Sequence, residues 1–265
     1  VHIAYCPERV LPGKIMAELV ENDRIVGGLT DEATRRVSDF YRTFVQGEVL
    51  ETSAKTAEMC KLTENSFRDV NIAFANELSL LCAEERIDVW ELIQLANRHP
   101  RVNILQPGAG VGGHCIAVDP WFIVSRDEKN AKLIKAAREV NNYKTNWVIE
   151  QVKLAVADKN AQTGKKPVIV CFGLAFKPDI DDLRKSPALE VAKVLSDQGY
   201  EVAAVEPNIN SHNKLNLTST LDIDWHNSVC AILVKHKEFA TKELLKKFES
   251  NTTLDFCGLL NSWFK

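Results

Sequence analysis

The sequence predicts an α/β protein with a long helical segment in its middle. Residues 1–52 alternate short apolar runs with amphipathic ones in the order strand, helix, strand, helix, strand, which is typical of a parallel sheet. Residues 54–97 repeat apolar side chains at intervals of three and four without Gly or Pro, and this pattern predicts one continuous helix. From residue 167 the alternation resumes and predicts a second, doubly wound unit.

The first α/β segment contains too few elements for a complete nucleotide-binding domain. Its strands are predicted at 1–5, 24–28 and 49–52, and its helices at 14–20 and 33–45. Thr30 is placed to cap the second helix. Neither GxGxxG nor GxxxxGK[ST] occurs in the segment, so we expect the chain to begin partway into a nucleotide fold.

The second α/β segment follows a helical run that we expect over residues 131–159. Residues 160–166 are polar and unpatterned, and we interpret them as a domain linker. Strands are predicted at 167–172, 200–205, 230–234 and 253–256, with a helix that Ser186 and Pro187 begin and Gly199 ends. The predicted domains are therefore 1–53, 54–160 and 161–265, and a ligand of the last is expected at the carboxyl ends of its strands.

Composition excludes several classes of function. Among 265 residues, 45% are apolar and 26% are charged, as in soluble globular proteins. A net charge of -3 leaves no footprint for nucleic acid or an anionic membrane, and no apolar run approaches the roughly 18 residues of a membrane span. The seven cysteines are scattered and form no CxxC, so we expect a reduced, cytoplasmic protein in which Cys82, Cys171 and Cys230 are core residues.

One stretch, Gln-Pro-Gly-Ala-Gly-Val-Gly-Gly-His-Cys at residues 106–115, differs from the rest of the chain. Four glycines lie among the seven residues before Cys115. Glycine permits positive φ and lets a ligand approach the backbone closely, so the stretch indicates a built site in which Cys115 is a nucleophile. Zinc is disfavoured, because no second Cys or His stands at ligand spacing from Cys115.

The residues beside Cys115 offer it few partners. His114 is adjacent, and adjacent side chains in an extended or turning backbone usually point apart, so we do not favour it as a base. Asp119 would return to the thiol if the intervening backbone formed a helical turn; otherwise it merely caps the turn before Pro120.

The predicted long helix carries a polar face near its start. Glu58, Lys61 and Asn65 fall at i, i+3 and i+7 and therefore share one side. By themselves they favour a solvated stripe. The apolar remainder of the helix is typical of a domain spine or a dimer face.

The glycine stretch and its continuation resemble the active-site loop of the UDP-glucose/GDP-mannose dehydrogenase family. The residues that carry this likeness are Gly110-Val111-Gly112-Gly113-His114-Cys115 and Asp119-Pro120. Three further stretches resemble the family in the same order, and the likeness covers essentially the whole chain. They are Pro7-Glu8-Arg9 with Pro12-Gly13; Lys61 and Asn65; and Phe176-Lys177-Pro178 through Asp182-Leu183-Arg184 to Ser186-Pro187. Residues 116–122 are similar to the branch that acts on UDP-N-acetyl-D-mannosamine.

The resemblance implies NAD-dependent oxidation of a sugar-nucleotide alcohol to a carboxylate in two hydride transfers. Cys115 would add to the aldehyde as a thiohemiacetal and then carry a thioester. Lys61 and Asn65 would stabilise the developing oxyanion. Asp119 and Glu8 would position or deprotonate water.

The resemblance also implies the binding residues and the assembly. The expected UDP-sugar contacts are Arg9, Val10, Arg101, Gln106, Gly108, Gly110, Val111, Gly112, Phe176 and Lys177. Arg101 resembles an arginine lent by a dimer partner, Arg184 and Cys115 are expected at the NAD, and no metal is expected. The central helix would form a homodimer.

The resemblance assigns a fold to each predicted domain. These are a Rossmann-type NAD-binding remnant, a long-helix central domain and a Rossmann-like UDP-binding domain. Without the glycine fingerprint, we expect the isolated chain to bind NAD poorly. An inactive UDP-sugar-binding or dimerising fragment therefore stays an alternative, as does a dehydrogenase of UDP-glucose or UDP-N-acetylglucosamine.

Overall fold

A computed structural model of the protein describes residues 1–10 and 14–260. It confirms the α/β class and divides into two compact units, Val1–Phe67 and Arg68–Lys265. Pro12 and Gly13 of the proline-glutamate stretch lie outside the described residues. No helix among the described residues combines the length and apolarity needed to cross a bilayer.

The first unit contains a three-stranded sheet in the order β1-β2-β3. Its elements are β1 (Ala4–Tyr5), α1 (Ile15–Glu21), β2 (Arg24–Gly28), α2 (Asp31–Arg42) and β3 (Val49–Ser53). Strands β2 and β3 pair in parallel, as predicted, and Thr30 caps α2 by accepting the N–H of Ala33 at 3.2 Å.

The expected parallel arrangement is wrong for β1, which is shorter than predicted and pairs antiparallel with β2. A parallel connection needs a crossover element packed on the sheet. Helix α1 has only seven residues and buries none of them, so it does not provide that crossover.

The single helix predicted over residues 54–97 is wrong, because the structure has two helices there. Helix α3 (Ala54–Glu85) begins in the first unit and continues into the second, and α4 (Val89–Ala96) follows. Arg86 has a φ of 57°, and the Asp88 carboxylate caps α4 by accepting the N–H groups of Trp90 and Glu91. The break therefore depends on a left-handed residue and a cap, without Gly or Pro.

The second unit packs helices against a doubly wound sheet. Helices α5 (Asp119–Arg126) and α6 (Lys132–Thr163) precede it. Helix α6 continues through most of the predicted linker and ends at Gly164, whose φ is 69°. Residues 164–167 are then the whole connection to the sheet.

The sheet has five parallel strands in the order β6-β5-β4-β7-β8, which is a doubly wound order. Its elements are β4 (Val168–Phe172), α7 (Pro187–Asp197), β5 (Val202–Val205), β6 (Asn216–Leu217), β7 (Ser228–Ile232), α8 (Lys242–Glu249) and β8 (Thr253–Asp255). Among these strands, the two-residue β6 was not predicted. Ser186 caps α7 by accepting the N–H of Leu189 at 3.3 Å, and Cys171 and Cys230 are buried in the sheet as predicted.

Candidate active site

The segment that carries the cysteine, residues 106–118, has no regular secondary structure and is called the cysteine loop below. Its first part is fixed by the two long helices. Gly108 donates its N–H to Oδ1 of Asn76 on α3 at 2.9 Å, and Thr145 on α6 donates its hydroxyl to the carbonyl of Ala109 at 2.9 Å. Asn76 and Thr145 are both buried, so the start of the loop is attached to the helical core.

The later part of the cysteine loop packs on the loop that follows β4, residues 173–186, which we call the β4–α7 loop. A Cβ on Gly112 would lie 2.7 Å from both the Lys185 carbonyl oxygen and Cβ of Phe176. Gly113 has a φ of 85° and faces the Phe176 ring, and its N–H donates to the Arg184 carbonyl at 3.1 Å. At these two glycines the close approach that the sequence predicted is made by the protein itself.

Cys115 is half-buried and stands one turn before α5. The N–H of Asp119 donates to the Cys115 carbonyl at 2.8 Å, which confirms that a helical turn joins the two residues. Val118 is the N-cap of α5, so Asp119 is the first residue of the helix and not its cap. His114 is exposed.

Arg184 places a positive charge beside the cysteine loop. Its guanidinium forms a two-pronged ion pair with Asp182, from Nε to Oδ1 at 3.0 Å and from Nη2 to Oδ2 at 2.6 Å. The hydrogen bond from Arg184 is the main reason that the pKa of Asp182 is lowered, and the Asp182 carboxylate in turn raises the pKa of Arg184. Cys115 adds a smaller contribution to the raised pKa of Arg184, which places the thiol within electrostatic range of the guanidinium.

The β4–α7 loop starts at the carboxyl edge of the sheet, where a doubly wound domain binds its ligand. The Glu206 carboxylate, just beyond β5, accepts the N–H of Leu174 at 2.7 Å and that of Ala175 at 3.1 Å. Burial raises the pKa of Glu206, but hydrogen bonds from His236 and from backbone N–H groups outweigh burial and lower the pKa to about 2. Lys177 is exposed at the tip of this loop.

The sequence analysis missed Glu206 and His236. An acid directly after a buried strand, in Val205-Glu206-Pro207, is a signal that could have drawn attention to Glu206. His236 has no such signal, since a lone histidine after a strand is most often a satisfied core residue.

A cavity of about 640 Å³ lies between the cysteine loop, α5, α6 and α7. Its lining combines apolar side chains with four charged ones. The lining residues are Val111, Ala117, Val118, Trp121, Arg138, Asn142, Leu183, Lys185, Ser186, Leu189, Glu190, Lys193 and Val194. Val111 is the one expected substrate contact among them.

In the first unit, the Glu8 carboxylate holds the backbone of Arg9 and Val10. Its Oε1 accepts the N–H of Arg9 at 2.6 Å and that of Val10 at 2.8 Å, and it lies 3.7 Å from Nη1 of Arg24. Arg9 reaches α3, where its Nε lies 3.0 Å from Oε1 of Glu64. Glu8 is therefore tied to the Arg24 guanidinium and to two backbone N–H groups.

Lys61 and Asn65 lie in the same unit on α3 and are both half-buried, whereas Glu58 is exposed. The three do not form a uniformly solvated stripe. Arg101 and Gln106 are exposed residues of the second unit between α4 and the rest of the cysteine loop.

The doubly wound sheet and the cysteine loop packed on it define an α/β nucleotide-binding protein with a thiol at its ligand edge. Three domain models of the UDP-glucose/GDP-mannose dehydrogenase family match the chain in order. The NAD binding domain matches residues 1–45, the central domain residues 55–143 and the UDP binding domain residues 170–262. The chain belongs to this family.

Individual relatives are similar over nearly the whole chain. It is 58% identical over 248 residues to the UDP-N-acetyl-D-mannosamine dehydrogenase of Escherichia coli (strain K12), covering 90% of this chain and 59% of the relative. It is 50% identical to the NDP-N-acetyl-D-galactosaminuronic acid dehydrogenase of Ralstonia solanacearum, covering 98% of this chain and 61% of the relative. The solved UDP-D-ManNAc dehydrogenase of Pyrococcus horikoshii is 36% identical, with a TM-score of 0.87 over 98% of this chain and 62% of that one. The chain thus spans about three fifths of the length of the curated relatives it matches.

Proposed function

We propose that this chain carries the thiol and the nucleotide-sugar site of an NAD-dependent dehydrogenase. The reaction is oxidation of the C6 alcohol of UDP-N-acetyl-D-mannosamine to a carboxylate. One observation carries the proposal: the loop that bears Cys115 is packed directly on the β4–α7 loop of the UDP binding domain, through the contact of Gly113 with Phe176 and Arg184. A sugar nucleotide bound at that edge would present its sugar to the thiol. The 58% identity to a UDP-N-acetyl-D-mannosamine dehydrogenase supports the choice of sugar.

Cys115 allows two oxidations on one site. After the first hydride leaves C6 as part of the alcohol-to-aldehyde step, the sulfur forms a bond to C6 and the aldehyde oxygen takes the thiol proton. The thiohemiacetal that results keeps the remaining C6 hydrogen on a tetrahedral carbon, and loss of that hydrogen as a hydride, together with the hydroxyl proton, gives a thioester. Water then adds to C6, the C–S bond breaks, and the thiolate and the carboxylate separate.

NAD is the hydride acceptor in this proposal. The described residues fit only part of its site. Arg184 offers an exposed guanidinium, held in place by Asp182, next to Cys115 and suited to an anionic group of the cofactor. Residues 1–53 contain no GxGxxG, so the part of the chain that matches the NAD binding domain does not form the loop that holds a pyrophosphate in dinucleotide-binding domains.

The remaining roles follow the family likeness. Lys61 and Asn65 would stabilise the oxyanion that forms on the substrate, and their partial burial supports that role because electrostatic stabilisation strengthens away from water. Asp119 would act on the hydrolytic water. Its place one turn after Cys115 supports this role, since water must reach the carbon bonded to that sulfur. Glu8 would assist in the same step.

We further propose a homodimer formed through α3. Phe74 and Leu81 are seven residues apart on this helix, and they are 54% and 55% exposed. Side chains at this spacing share one face, and an exposed apolar face on a long helix suits a second copy. Light scattering of the chain and of its Leu81→Glu variant tests this assembly. We expect the mass of a dimer for the chain and the mass of a monomer for the variant.

The thiol role can be tested without NAD, by supplying the aldehyde. The chain is incubated with the C6 aldehyde of UDP-N-acetyl-D-mannosamine, alkylated with iodoacetamide and weighed by intact mass spectrometry. We expect one alkylation fewer than in the untreated chain, with peptide mapping assigning the protected thiol to Cys115. In Cys115→Ser the aldehyde should make no difference.

The choice of sugar is tested in the same assay with the aldehydes of UDP-glucose and UDP-N-acetylglucosamine. We expect the mannosamine aldehyde to protect Cys115 at the lowest concentration. Equal alkylation of Cys115 with and without every aldehyde, in a chain that still binds UDP, would overturn the nucleophile role.

A further inference from the structure

The β4–α7 loop is anchored by two buried side chains that have no place in the chemistry described above. The Glu206 and His236 side chains are both fully shielded from solvent, and His236 Nε2 lies 3.1 Å from Oε2 of Glu206. Besides the N–H groups of Leu174 and Ala175, Glu206 accepts the N–H of Asn208 at 3.0 Å. A buried carboxylate that receives this many donors is held in one position and stays ionised.

The tautomer of His236 follows from its neighbours. The backbone N–H of Asp179 points at Nδ1 of His236 at 3.0 Å, and a backbone N–H is always a donor. Nδ1 must therefore accept, and the ring proton lies on Nε2, where it is donated to Glu206. The imidazole thus connects the carboxylate at the end of β5 to the far side of the β4–α7 loop.

Asp179 needs that support. Its φ of 59° lies in the left-handed region, which is unfavourable for a residue with a side chain. The bond to His236 and a second one, from the N–H of Lys237 to Oδ1 of Asp179 at 3.0 Å, hold the residue there.

Lys177 lies between two anchored residues of this loop. On one side, the Phe176 N–H donates to the Asp182 carbonyl at 3.1 Å and the ring packs on Gly113. On the other side stands Asp179, and Pro178 between them has a φ fixed by its ring. The backbone around Lys177 is therefore set before any ligand arrives, although the side chain itself is exposed.

We propose that His236 and Glu206 are positioning residues for nucleotide-sugar binding, acting through Asp179 to present the Lys177 ammonium to the diphosphate of the ligand. The inference rests on the proposed function and deepens it. Preorganised donors bind better because the cost of ordering the loop is met during folding and not on binding. In a doubly wound sheet, an acid near this strand end can instead bind a ribose. Here the Glu206 carboxylate is already hydrogen-bonded to the loop backbone and to His236.

A metal at this place is the competing interpretation. Asp179, His236 and Glu238 have potential ligand atoms within 4.8 Å of one another. Nδ1 of His236 faces the N–H of Asp179 and also lies 3.1 Å from Nδ2 of Asn208, so a cation could take this nitrogen only after those donors moved away. The geometry therefore favours a role for His236 in holding the loop over a role as a metal ligand.

Two substitutions at His236 separate its two contacts. In His236→Asn, the amide oxygen stands near the former Nδ1 and can still accept from Asp179, while the donor to Glu206 is lost. In His236→Gln, the amide nitrogen can still reach toward Glu206, while the acceptor for Asp179 is lost. His212→Gln is the matched control, because Nδ1 of His212 also accepts two backbone N–H groups, those of Lys214 and Leu215 at 3.2 Å, in another loop of the same sheet.

The measurement is the Kd of UDP for the chain by titration calorimetry, with thermal melts of every variant. We expect His236→Gln to weaken UDP binding about tenfold, His236→Asn less than about threefold, and His212→Gln not measurably. In a Lys177→Ala background, His236→Gln should weaken binding by less than about twofold, because the residue through which it acts is gone.

The outcomes distinguish this inference from the proposed function. If the unaltered chain does not bind UDP, the proposed function fails and the inference with it. If the chain binds UDP but His236→Gln and His236→Asn weaken it equally, or if His236→Gln is as costly with Lys177→Ala as without, then His236 has only a structural role and the positioning role is overturned. The positioning role is supported if His236→Asn retains UDP binding better than His236→Gln does, and if the effects of His236→Gln and Lys177→Ala are not additive.

Discussion

Asp69, between α3 and α6, and Glu206, at the edge of the sheet, are both buried carboxylates of the second unit. The fold nevertheless shifts their pKa values in opposite directions. Burial raises the pKa of Asp69 more than its contacts with Arg138 and Asn141 lower it. Burial also raises the pKa of Glu206, but its hydrogen bonds outweigh that effect and hold it at about 2. A single ion pair therefore stabilises the ionised form of a buried carboxylate less than several converging N–H groups do.

The geometry around Asp69 explains its weaker solvation. Its Oδ1 lies 2.6 Å from Nη1 of Arg138 and 2.8 Å from Nδ2 of Asn141. Within residues 1–10 and 14–260, Oδ2 of Asp69 and Nε of Arg138 have no hydrogen-bond partner. The helical core thus contains a strong but incomplete ion pair, whereas the sheet edge contains a fully satisfied carboxylate.

The largest effect is expected when this ion pair is broken. Arg138→Met leaves the Asp69 carboxylate buried without its guanidinium, which should lower the free energy of unfolding by about 4 kcal/mol. Urea unfolding of the chain at neutral pH measures it. The control is the double variant Asp69→Leu with Arg138→Met, which we expect within about 1 kcal/mol of the original chain, because well-packed apolar pairs often replace a buried ion pair at little cost. A small loss in Arg138→Met alone would mean that the pair contributes little.

The second prediction concerns Lys144, a buried cation of the same helical core that has no carboxylate partner among residues 1–10 and 14–260. Its Nζ bonds to Oγ of Ser79 at 2.8 Å and lies 3.9 Å from the centre of the Trp147 ring, but burial outweighs both and lowers its pKa to about 7. The ammonium is retained more easily in the unfolded chain, so stability should rise with pH above about 7, by about 3 kcal/mol over two pH units. Lys144→Met should remove this rise. Parallel unfolding curves for the two proteins across this range would contradict the lowered pKa.

The third prediction tests the opposite pKa shifts of the two carboxylates, Glu206 and Asp69. The folded pKa of Glu206 is depressed, so its stabilisation is complete above the unfolded pKa of 4.5 and is lost as the pH falls toward about 2. Between about pH 4.5 and pH 3 the loss should be about 2 kcal/mol, and Glu206→Gln should abolish it. Asp69 has the opposite sign, since its stabilising contribution is present at low pH and disappears as the pH rises through its raised pKa. Acid unfolding of Glu206→Gln and Asp69→Asn should therefore differ from the original chain in opposite senses.

The sequence predicts the elements around both regions better than the contacts inside them. The alternation of strands and helices, the Thr30 and Ser186 caps and the buried Cys171 and Cys230 all depend on side-chain types that periodicity and cap rules recognise. The break at Arg86 depends on positive φ in a residue that rarely adopts it, and no composition rule signals that.

The candidate site shows the same limit. The turn between Cys115 and Asp119 could be predicted from spacing, and the cysteine loop from its glycines. The anchoring of the β4–α7 loop could not, because Glu206 and His236 act on backbone N–H groups that every residue except proline carries. Such contacts leave no pattern in the sequence.

The cysteine loop joins the two regions, and its glycines give the last and smallest prediction. Asn76 fixes the loop to the helical core at Gly108, and Phe176 fixes it to the β4–α7 loop at Gly112. A Cβ at Gly112 would meet the Lys185 carbonyl oxygen at 2.7 Å, and backbone cannot move aside easily, so Gly112→Ala should cost about 1 to 2 kcal/mol.

Gly108→Ala is the matched control for that change, because nothing lies within 4 Å of a Cβ built there. We expect it to alter stability by less than about 0.5 kcal/mol. If the loop transmits the strain, Gly112→Ala should also change the rate at which iodoacetamide alkylates Cys115, and Gly108→Ala should not. Equal stability and equal alkylation rates in the two variants would show that the thiol does not depend on how tightly its loop is packed on the nucleotide domain.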